Sequence, residues 1–391
     1  MNLTANSNSR EIAFLALCAV HKEEGLFLTH LLPPHDSLAR EIALGTERRL
    51  LTLDYIGAKL ASRGALKLKL KEKMLLRMAI YQHLFMDRIP PHALVHEMVE
   101  LARSHCHSLF VKFLNAALRK LVAEKWSLPE GDTPQELSIC YSYPLYFVEL
   151  LLEEYHIQTT RKILDALNQP PPLTIRERFK GSIEIDPSEL EKYATSRDYY
   201  FQSATQGLLI DQLAGQMKKP PKRVIDLCAA PGGKLIALQE HFPHAELVAN
   251  EISEKRLKRL RDNLSKYQIA ATLTNLPAEE YPEGELFDLI LLDVPCSNSG
   301  VLHKRPEARW RITPEKIQEL KKIQWACLQK AQRLLAPGGE IWYTTCSILH
   351  AENEEIVARA ARELSLKPSA PHKHLPHEAT REGAFACRFA R

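Results

Sequence analysis

An all-α bundle followed by a doubly wound α/β domain is what three observations on this sequence predict. Between Ser9 and Lys125 every strong apolar pattern has helical spacing. From Val224 onward short apolar runs alternate with amphipathic ones, as strands and helices do around a parallel sheet. At the head of that second region stands RVIDLCAAPGGK, residues 223–234. It reads as a buried strand, a turn too tight for large side chains, and a helix start.

The bulk properties suit such a chain. Its 391 residues suffice for two or three domains, and a composition 45% hydrophobic and 26% charged is that of a globular protein with ample core. No apolar run approaches the length of a membrane span. The stretch Ile12–Val20 follows Arg10 as a short signal sequence would. It runs straight into His21-Lys22-Glu23-Glu24 without a cleavage region, so a buried first helix is expected. The 8 cysteines are scattered and form no CxxC pair, which argues against a zinc site and a disulfide framework. Reduced thiols and a cytoplasmic location are expected. Residues 1–130 hold 18 Lys/Arg against 13 Asp/Glu, a net of +5. That leaves the rest near −1 of a total of +4, so the front of the chain permits nucleic-acid binding.

In the front region, Ile12, Leu15, Ala16, Ala19 and Val20 share one helical face, as do Leu75, Met78, Ala79, Leu84 and Phe85. Thr29–Leu32 ends at Pro33-Pro34, and Asp36 or Ser37 can cap the next helix. The segment Arg88-Ile89-Pro90-Pro91 is a second break, after which Val95, Met98, Val99 and Ala102 repeat on one face. Phe113–Arg119 closes a module of about six helices, residues 1–130. The alternation of Lys67, Lys69, Lys71 and Lys73 with Leu66, Leu68 and Leu70 fits a solvated helix face or an RNA contact equally well.

Trp126–Gln135, with Pro129, Gly131 and Pro134, reads as a linker. A helix follows Tyr143-Pro144 and extends through Tyr155, Gln169–Pro172 stops the next one, and Leu173–Arg178 has strand character. Residues 131–203 are therefore expected to form a linker and small accessory subdomain. Phe201–Gln206 opens the helix leading into the catalytic region, 204–391. There, strands are expected at 223–228, 246–251, 271–275, 286–293 and 339–345, and helices at 234–241, 253–267, 313–335 and 352–363. The tail Gly383–Phe389 can add a last strand.

Three loops fall at the carboxyl ends of these strands, where open α/β sheets bind ligands. In the first, Pro231 sets φ while Gly232 and Gly233 let the backbone approach a ligand at a helix N-terminus. Glu251, 25 residues after Asp226, is placed to accept hydrogen bonds from ribose hydroxyls. The pattern is neither GxGxxG nor a GKS/T loop, so dinucleotides and nucleoside triphosphates are poor candidates. The second loop is Asp293-Val294-Pro295-Cys296-Ser297 followed by Ser299-Gly300, directly after the apolar run Phe287–Leu292. The third is Thr344-Thr345-Cys346-Ser347. A lone cysteine is usually a small buried hydrophobe, the expectation for Cys18, Cys106, Cys140, Cys327 and Cys387. Cys228 could pack or meet a ligand through its backbone. Cys296 and Cys346 differ, because each follows an apolar strand in a polar loop.

The front landmarks SREIAFLALCAV, LAREIALGTERRLLTLD, MLLRMAIYQHLFMDRIPPHALVHEMVELA and FLNAALRKL resemble the helical domain of the bacterial antitermination factor NusB. They resemble still more the NusB-like front end of rRNA methyltransferases. Further on, DLCAAPGGK, DVPCSNSG and YTTCSILHAEN stand in the order and spacing of the RNA cytosine-5 methyltransferase family related to the nucleolar protein Nop2 and the Sun protein. The resemblance covers nearly the whole chain and implies a Rossmann-like fold for its second part.

It also implies a chemistry. C5 of cytosine is too poor a nucleophile to take a methyl group from S-adenosylmethionine (SAM), and a thiolate adding to C6 makes C5 enamine-like. The family's nucleophile matches Cys346, and the cysteine that assists product release matches Cys296. Asp293 matches the aspartate that holds the base near N3, and Lys234 can orient the base or stabilise charge there. An ordinary thiol is only about 3% ionised at neutral pH, so positive potential near Cys346 is expected. Cofactor binding carries over onto Cys228, Ala229, Ala230, Pro231, Gly232, Gly233 and Lys234, onto Glu251, and onto Asp293 at the methionine end. Asn275, in TLTNLPAEE, stands where the family usually has an aspartate on the adenine side.

The chain departs from the family in having Glu rather than Asp at 251, an abbreviated segment 173–203, and the tail GAFACRF in place of a glycine-rich ending. The loop His303–Arg311, with four cations and Trp310, fits a phosphate grip with a stacking surface. The implied activity is SAM-dependent methylation of cytosine C5 in small-subunit rRNA, by a monomer with no metal, no DNA partner and no membrane association. The same reaction on another RNA such as tRNA, and a non-catalytic RNA-binding assembly factor, are the alternatives. DNA cytosine methyltransferases use the cysteine of a Pro-Cys motif, so the retention of Cys346 favours RNA.

Overall fold

The computed structural model describes residues 8–23, 25–61 and 67–391; Glu24 and Leu66, used above, lie outside the described residues. The chain forms two compact units, Met1–Asn168 with Leu302–Arg311, and Gln169–Val301 with Ile312–Arg391. Among the described residues no helix is long and apolar enough to cross a membrane.

The first unit is helical: α1 Ser9–Val20, α2 Leu28–Leu31, α3 Ser37–Arg48, α4 Leu50–Leu60, α5 Leu70–Phe85, α6 Pro91–His105 and α7 Ser108–Ala123, then α8 Pro134–Tyr141, α9 Leu145–Glu154 and α10 Ile157–Ala166. The starts are chemically marked. Asn8 accepts from the Glu11 amide, Asp36 from the Ala39 amide, Pro91 opens α6, and Thr133 and Glu136 form a capping box on α8. Of the periodic residues, Ala16, Leu75, Met78, Ala79, Met98, Val99 and Ala102 are buried in one core while Ile12, Leu15, Val20, Leu84, Phe85 and Val95 pack at its margin; α1 also buries Phe14 and Leu17. Each fully buried Leu, Met or Phe among them contributes roughly 1.5–3 kcal/mol through burial. Residues 131–203 are divided: α8–α10 belong to the first unit, and the strands that follow belong to the second.

The second unit opens with a small antiparallel sheet of order β2-β1-β3 (β1 Thr174–Glu177, β2 Gly181–Glu184, β3 Tyr199–Phe201), with the short α11 Leu190–Ala194 before β3. Then come α12 Ala204–Gly215, β4 Arg223–Asp226, α13 Gly233–His241, β5 Glu246–Asn250, α14 Glu254–Lys266, β6 Thr272–Thr274, β7 Phe287–Asp293, α15 Pro314–Leu334, β8 Leu335–Thr345, α16 Glu354–Glu363, β9 Lys367–Pro368, β10 His372–His374 and β11 Ala384–Ala390. These strands form one sheet of order β10-β11-β8-β7-β4-β5-β6, with β9 paired to β11. Strands β4 to β8 are mutually parallel, while β11 runs antiparallel to β8. This is the expected Rossmann-like sheet with an antiparallel addition.

Period-two alternation fills both faces. Val224, Ala249, Leu289, Leu291 and Trp342 pack with α12, α13 and α14. Their neighbours Ile225, Val248, Ile290, Leu292, Ile341 and Tyr343 pack with α15 and α16 on the other side. The chain order reverses at β4, whose two neighbours are β5 and β7, and that is where an open α/β sheet leaves a crevice for ligand.

Candidate active site

The cradle is built where β4 ends. Beyond Asp226 the chain stays pinned between its neighbours: the Leu227 amide donates to the Leu291 carbonyl and the Ala229 amide to the Asn250 carbonyl. Gly232 then takes φ of +107°, a conformation that side chains rarely adopt, and a Cβ there would lie 2.8 Å from Leu260. From α14, Arg256 donates to the Ala230 carbonyl at 2.6 Å and Asn263 to the Pro231 carbonyl at 2.8 Å, which holds the turn from outside. The N-cap of α13 is Gly232, which has no side chain to cap it, so the first amides of the helix can serve a ligand. The Cys228 thiol hydrogen-bonds with Cys327. That bond and burial push it well above the usual thiol range, so this side chain stays protonated.

The acids at the neighbouring strand ends are distinct in character. Glu251 is buried, with its Oε1 accepting from the Ser253 amide at 3.0 Å and lying 3.4 Å from Arg256 Nη1. Asn275 donates to the Glu251 and Ile252 carbonyls at 2.6 and 3.0 Å, so its amide shapes the loop that carries the acid. Asp226 is buried beneath the cradle. Its burial, reinforced by the charge of Asp293, raises its carboxyl to about 7. Asp293 pairs with Lys234 Nζ at 2.6 Å and accepts from Thr344 Oγ1 at 3.2 Å.

The two sulfurs come together because β7 and β8 are parallel neighbours with Asp293 opposite Thr344. Cys296 Sγ lies 3.2 Å from Cys346 Sγ. Asn298, at φ of +59°, donates its Nδ2 to the Cys296 carbonyl, which turns its Oδ1 toward Cys346 at 3.1 Å. The hydrogen bond to Cys346, followed by burial, pushes the Cys296 thiol well above its ordinary range, while the Cys346 thiol also donates to Asn298 Oδ1. Close backbone approach fixes the loops. Gly300 donates to the Cys346 carbonyl, Gly383 donates to the Gly300 carbonyl, and a Cβ on Gly300 would meet the Gly383 carbonyl oxygen at 2.5 Å.

Two residues that organise this centre are not among the expected site residues, although Glu352 lies within YTTCSILHAEN and Asn250 directly precedes Glu251. Glu352, wholly buried, accepts from the Ser297 amide (2.8 Å), Ser297 Oγ (2.5 Å), Ser347 Oγ (2.6 Å) and Gln324 Nε2 (3.0 Å). One carboxylate thus ties together the residues that follow both cysteines. Asn250 is buried and uses both ends of its amide. It donates to the Leu227 and Leu276 carbonyls and accepts from Thr274 Oγ1 and the Leu276 amide, stitching three strand ends.

The loop His303–Arg311 corrects the expectation of a phosphate grip. Residues 302–311 belong to the first unit. Arg309 is fully buried there, donating through Nη1 to the Arg48 and Ser142 carbonyls and to Asn168 Oδ1, with its guanidinium 4.0 Å from the Tyr143 ring centre. Arg305 and Arg311 lie over Phe27. Arg309 is thereby withdrawn from any phosphate, whereas Arg305 and Arg311 stay exposed above the Phe27 ring.

A Rossmann-like sheet, a glycine cradle at its switch point and an acid at the next strand end define a SAM-dependent methyltransferase. A family model for 16S rRNA methyltransferase RsmB/F matches residues 216–388, and one for the NusB family matches residues 7–123. The chain is 30% identical to ribosomal RNA small subunit methyltransferase B of Klebsiella pneumoniae subsp. pneumoniae over 389 residues, covering 90% of this chain and 89% of the relative. Against the protein of the same name from Salmonella arizonae it is 30% identical, covering 89% and 88%. The chain belongs to the 16S rRNA methyltransferase RsmB/F family. Its fold is also that of the crystal structure of PH0851 (TM-score 0.75, 22% identity, 98% of both chains) and of a methyltransferase homologue from Pyrococcus horikoshii (TM-score 0.57, 22% identity, 66% of this chain and 99% of that one).

Proposed function

We propose that this enzyme methylates C5 of a cytosine in 16S (small-subunit) rRNA through a covalent bond between Cys346 and C6. The observation that carries the reading is the pair of thiols 3.2 Å apart at the ends of adjacent strands, beside the Asp293–Lys234 ion pair. A cysteine methyltransferase needs one sulfur to add and a second group to serve the release. The raised Cys296 thiol is suited to holding a proton while Cys346 attacks.

SAM supplies the methyl group as an electrophilic sulfonium. The donors that fit it are the uncapped amides at the start of α13, the backbone of Cys228–Gly233, and Glu251 for the ribose hydroxyls, with Asn275 toward the adenine side. Ile252, exposed beside Glu251, offers an apolar surface for a purine. Asp293 holds the cytosine at N3 and Lys234 offsets the charge that develops there after the Cys346 sulfur bonds to C6. C5 then takes the methyl group. A base takes the C5 proton, the C–H electron pair forms the C5–C6 double bond, and the C6–S bond breaks with its pair returning to Cys346 as thiolate, a release that Cys296 assists.

The test uses both thiol variants with 16S rRNA and SAM. Cys346→Ala should abolish methylation and give no protein–RNA adduct, whereas Cys296→Ala should accumulate an adduct that survives denaturing electrophoresis. Bisulfite mapping of the product identifies the carbon and the nucleotide. An adduct from Cys346→Ala but none from Cys296→Ala would reverse the roles. Methylation of tRNA in preference to 16S rRNA would overturn the substrate.

A further inference from the structure

We propose that the solvent face of α14 is a track for the phosphate backbone of the RNA substrate; this rests on the functional reading above and adds to it a surface in the second unit. Six cations on this helix (Lys255, Arg256, Lys258, Arg259, Arg261 and Lys266) oppose two acids, Glu254 and Asp262. Its net charge of +4 equals that of the whole chain, so everything else sums to zero. Leu257, Leu260 and Leu264 anchor the inner face in the core, which leaves Lys255, Lys258, Arg259 and Arg261 exposed.

Two features separate this face from an ordinary solvated helix. First, its exposed cations are unpaired. Elsewhere in the unit Arg176, Arg178, Arg223, Lys321, Lys330 and Arg388 each lie within 3.2 Å of a carboxylate. Although Lys218, Lys219, Lys222, Lys322, Arg362 and Lys367 are also exposed without one among the described residues, α14 gathers four such cations on one helix. Among the described residues no such partner serves Lys255, Lys258, Arg259 or Arg261. Their spacing sets Lys255 against Lys258 and Arg259, and Lys258 against Arg261, while only Glu254 and Asp262 stand at helical spacing to offset them. Second, the helix borders the cradle. It begins just after Glu251, Arg256 holds the Ala230 carbonyl, and Asn263 holds the Pro231 carbonyl. A strand whose target base enters the site has its phosphates near this face, and charge complementarity selects a polyanion.

The experiment compares the full-length protein with K255Q/K258Q/R259Q/R261Q, leaving Arg256 in its structural role. Gln matches Lys and Arg in helix propensity, so the fold is retained, and unchanged SAM affinity verifies it. Binding of 16S rRNA transcript is measured as a function of salt. Neutralising each cation that meets a phosphate should flatten the log–log slope by about 0.7–0.9 and cost roughly five- to eightfold in affinity at 0.1 M salt. A decrease of tenfold or more with a shallower slope supports the track. If the parent protein binds the transcript and the variant binds it equally with the same slope, the track is wrong while the functional reading stands. A face that meets an acidic protein instead gives that same result. If the parent itself fails to bind or methylate the transcript, the functional reading fails and the track with it.

Discussion

Glu352→Gln is the substitution that most directly probes how the two thiols are held. The carboxylate receives four hydrogen bonds, two from fixed N–H donors (Ser297 and Gln324) and two from the hydroxyls of Ser297 and Ser347. The glutamine carbonyl can serve only one of these pairs, and the amide N–H groups then face the other. Ser347 Oγ has little room to become an acceptor, since it already accepts from the Leu349 amide and shares a proton with Ser299. A hydrogen bond to a charged acceptor contributes about 1.5–3 kcal/mol and a neutral one about 1, so the variant should lose roughly 2–4 kcal/mol. Urea unfolding followed by circular dichroism measures that loss. Because Ser297 and Ser347 each follow a cysteine, turnover should fall at unchanged SAM affinity. A variant within about 0.5 kcal/mol of the parent, with parental turnover, would refute the idea that this carboxylate sets the sulfur geometry.

Asp226 predicts a pH signature in the ligand-free protein. Its folded carboxyl is raised to about 7, so the protonated form is favoured on folding; its stabilising contribution is complete below the ordinary aspartate value and is lost as pH rises toward about 7. Relative to Asp226→Asn, the parent should therefore lose up to about 1.4 kcal/mol per pH unit across that window, and a difference that stays flat with pH would count against it. Arg309→Ala should destabilise the helical unit by roughly 3–5 kcal/mol, since it strips a donor from three buried acceptors and leaves a cavity under Tyr143. A change below about 1 kcal/mol in thermal or urea unfolding would show that the guanidinium is dispensable there.

Much of the fold was legible because its strands are buried on both faces. The run Phe287–Leu292 announces itself, and β7 is Phe287–Asp293. Caps did the same for helices, and Asp36, one of the two candidates, is the residue that caps α3. At β8 the strand reaches back to Leu335, which pairs with Phe287, but Ala336-Pro337-Gly338-Gly339 breaks the register with Gly338 at φ of +77°, and pairing resumes at Glu340, next to the expected start at 339. Sequence reading failed at Arg309 for a reason of distance. Local composition describes four cations and a tryptophan as surface, and nothing nearby reveals that Arg48, Ser142 and Asn168 supply the acceptors for Arg309.

The active site divides along the same line. Cys296 and Cys346 could be singled out as residues that follow apolar strands, but no local pattern states that those strands are neighbours. Once β7 and β8 pair in parallel with Asp293 opposite Thr344, the chain leaves both strands at the same edge, three and two residues before its cysteines. The sulfurs must then meet unless something separates them. What prevents separation is the Gly300–Gly383 contact and the Glu352 carboxylate; Gly300 and Glu352 stand within the two cysteine motifs, but nothing local shows that one meets a tail glycine and the other the serine after the opposite cysteine. A short motif therefore specifies which atoms react, while strand order and long-range hydrogen bonds set how far apart they are. Damage to the second set should lower turnover without altering which atom is methylated.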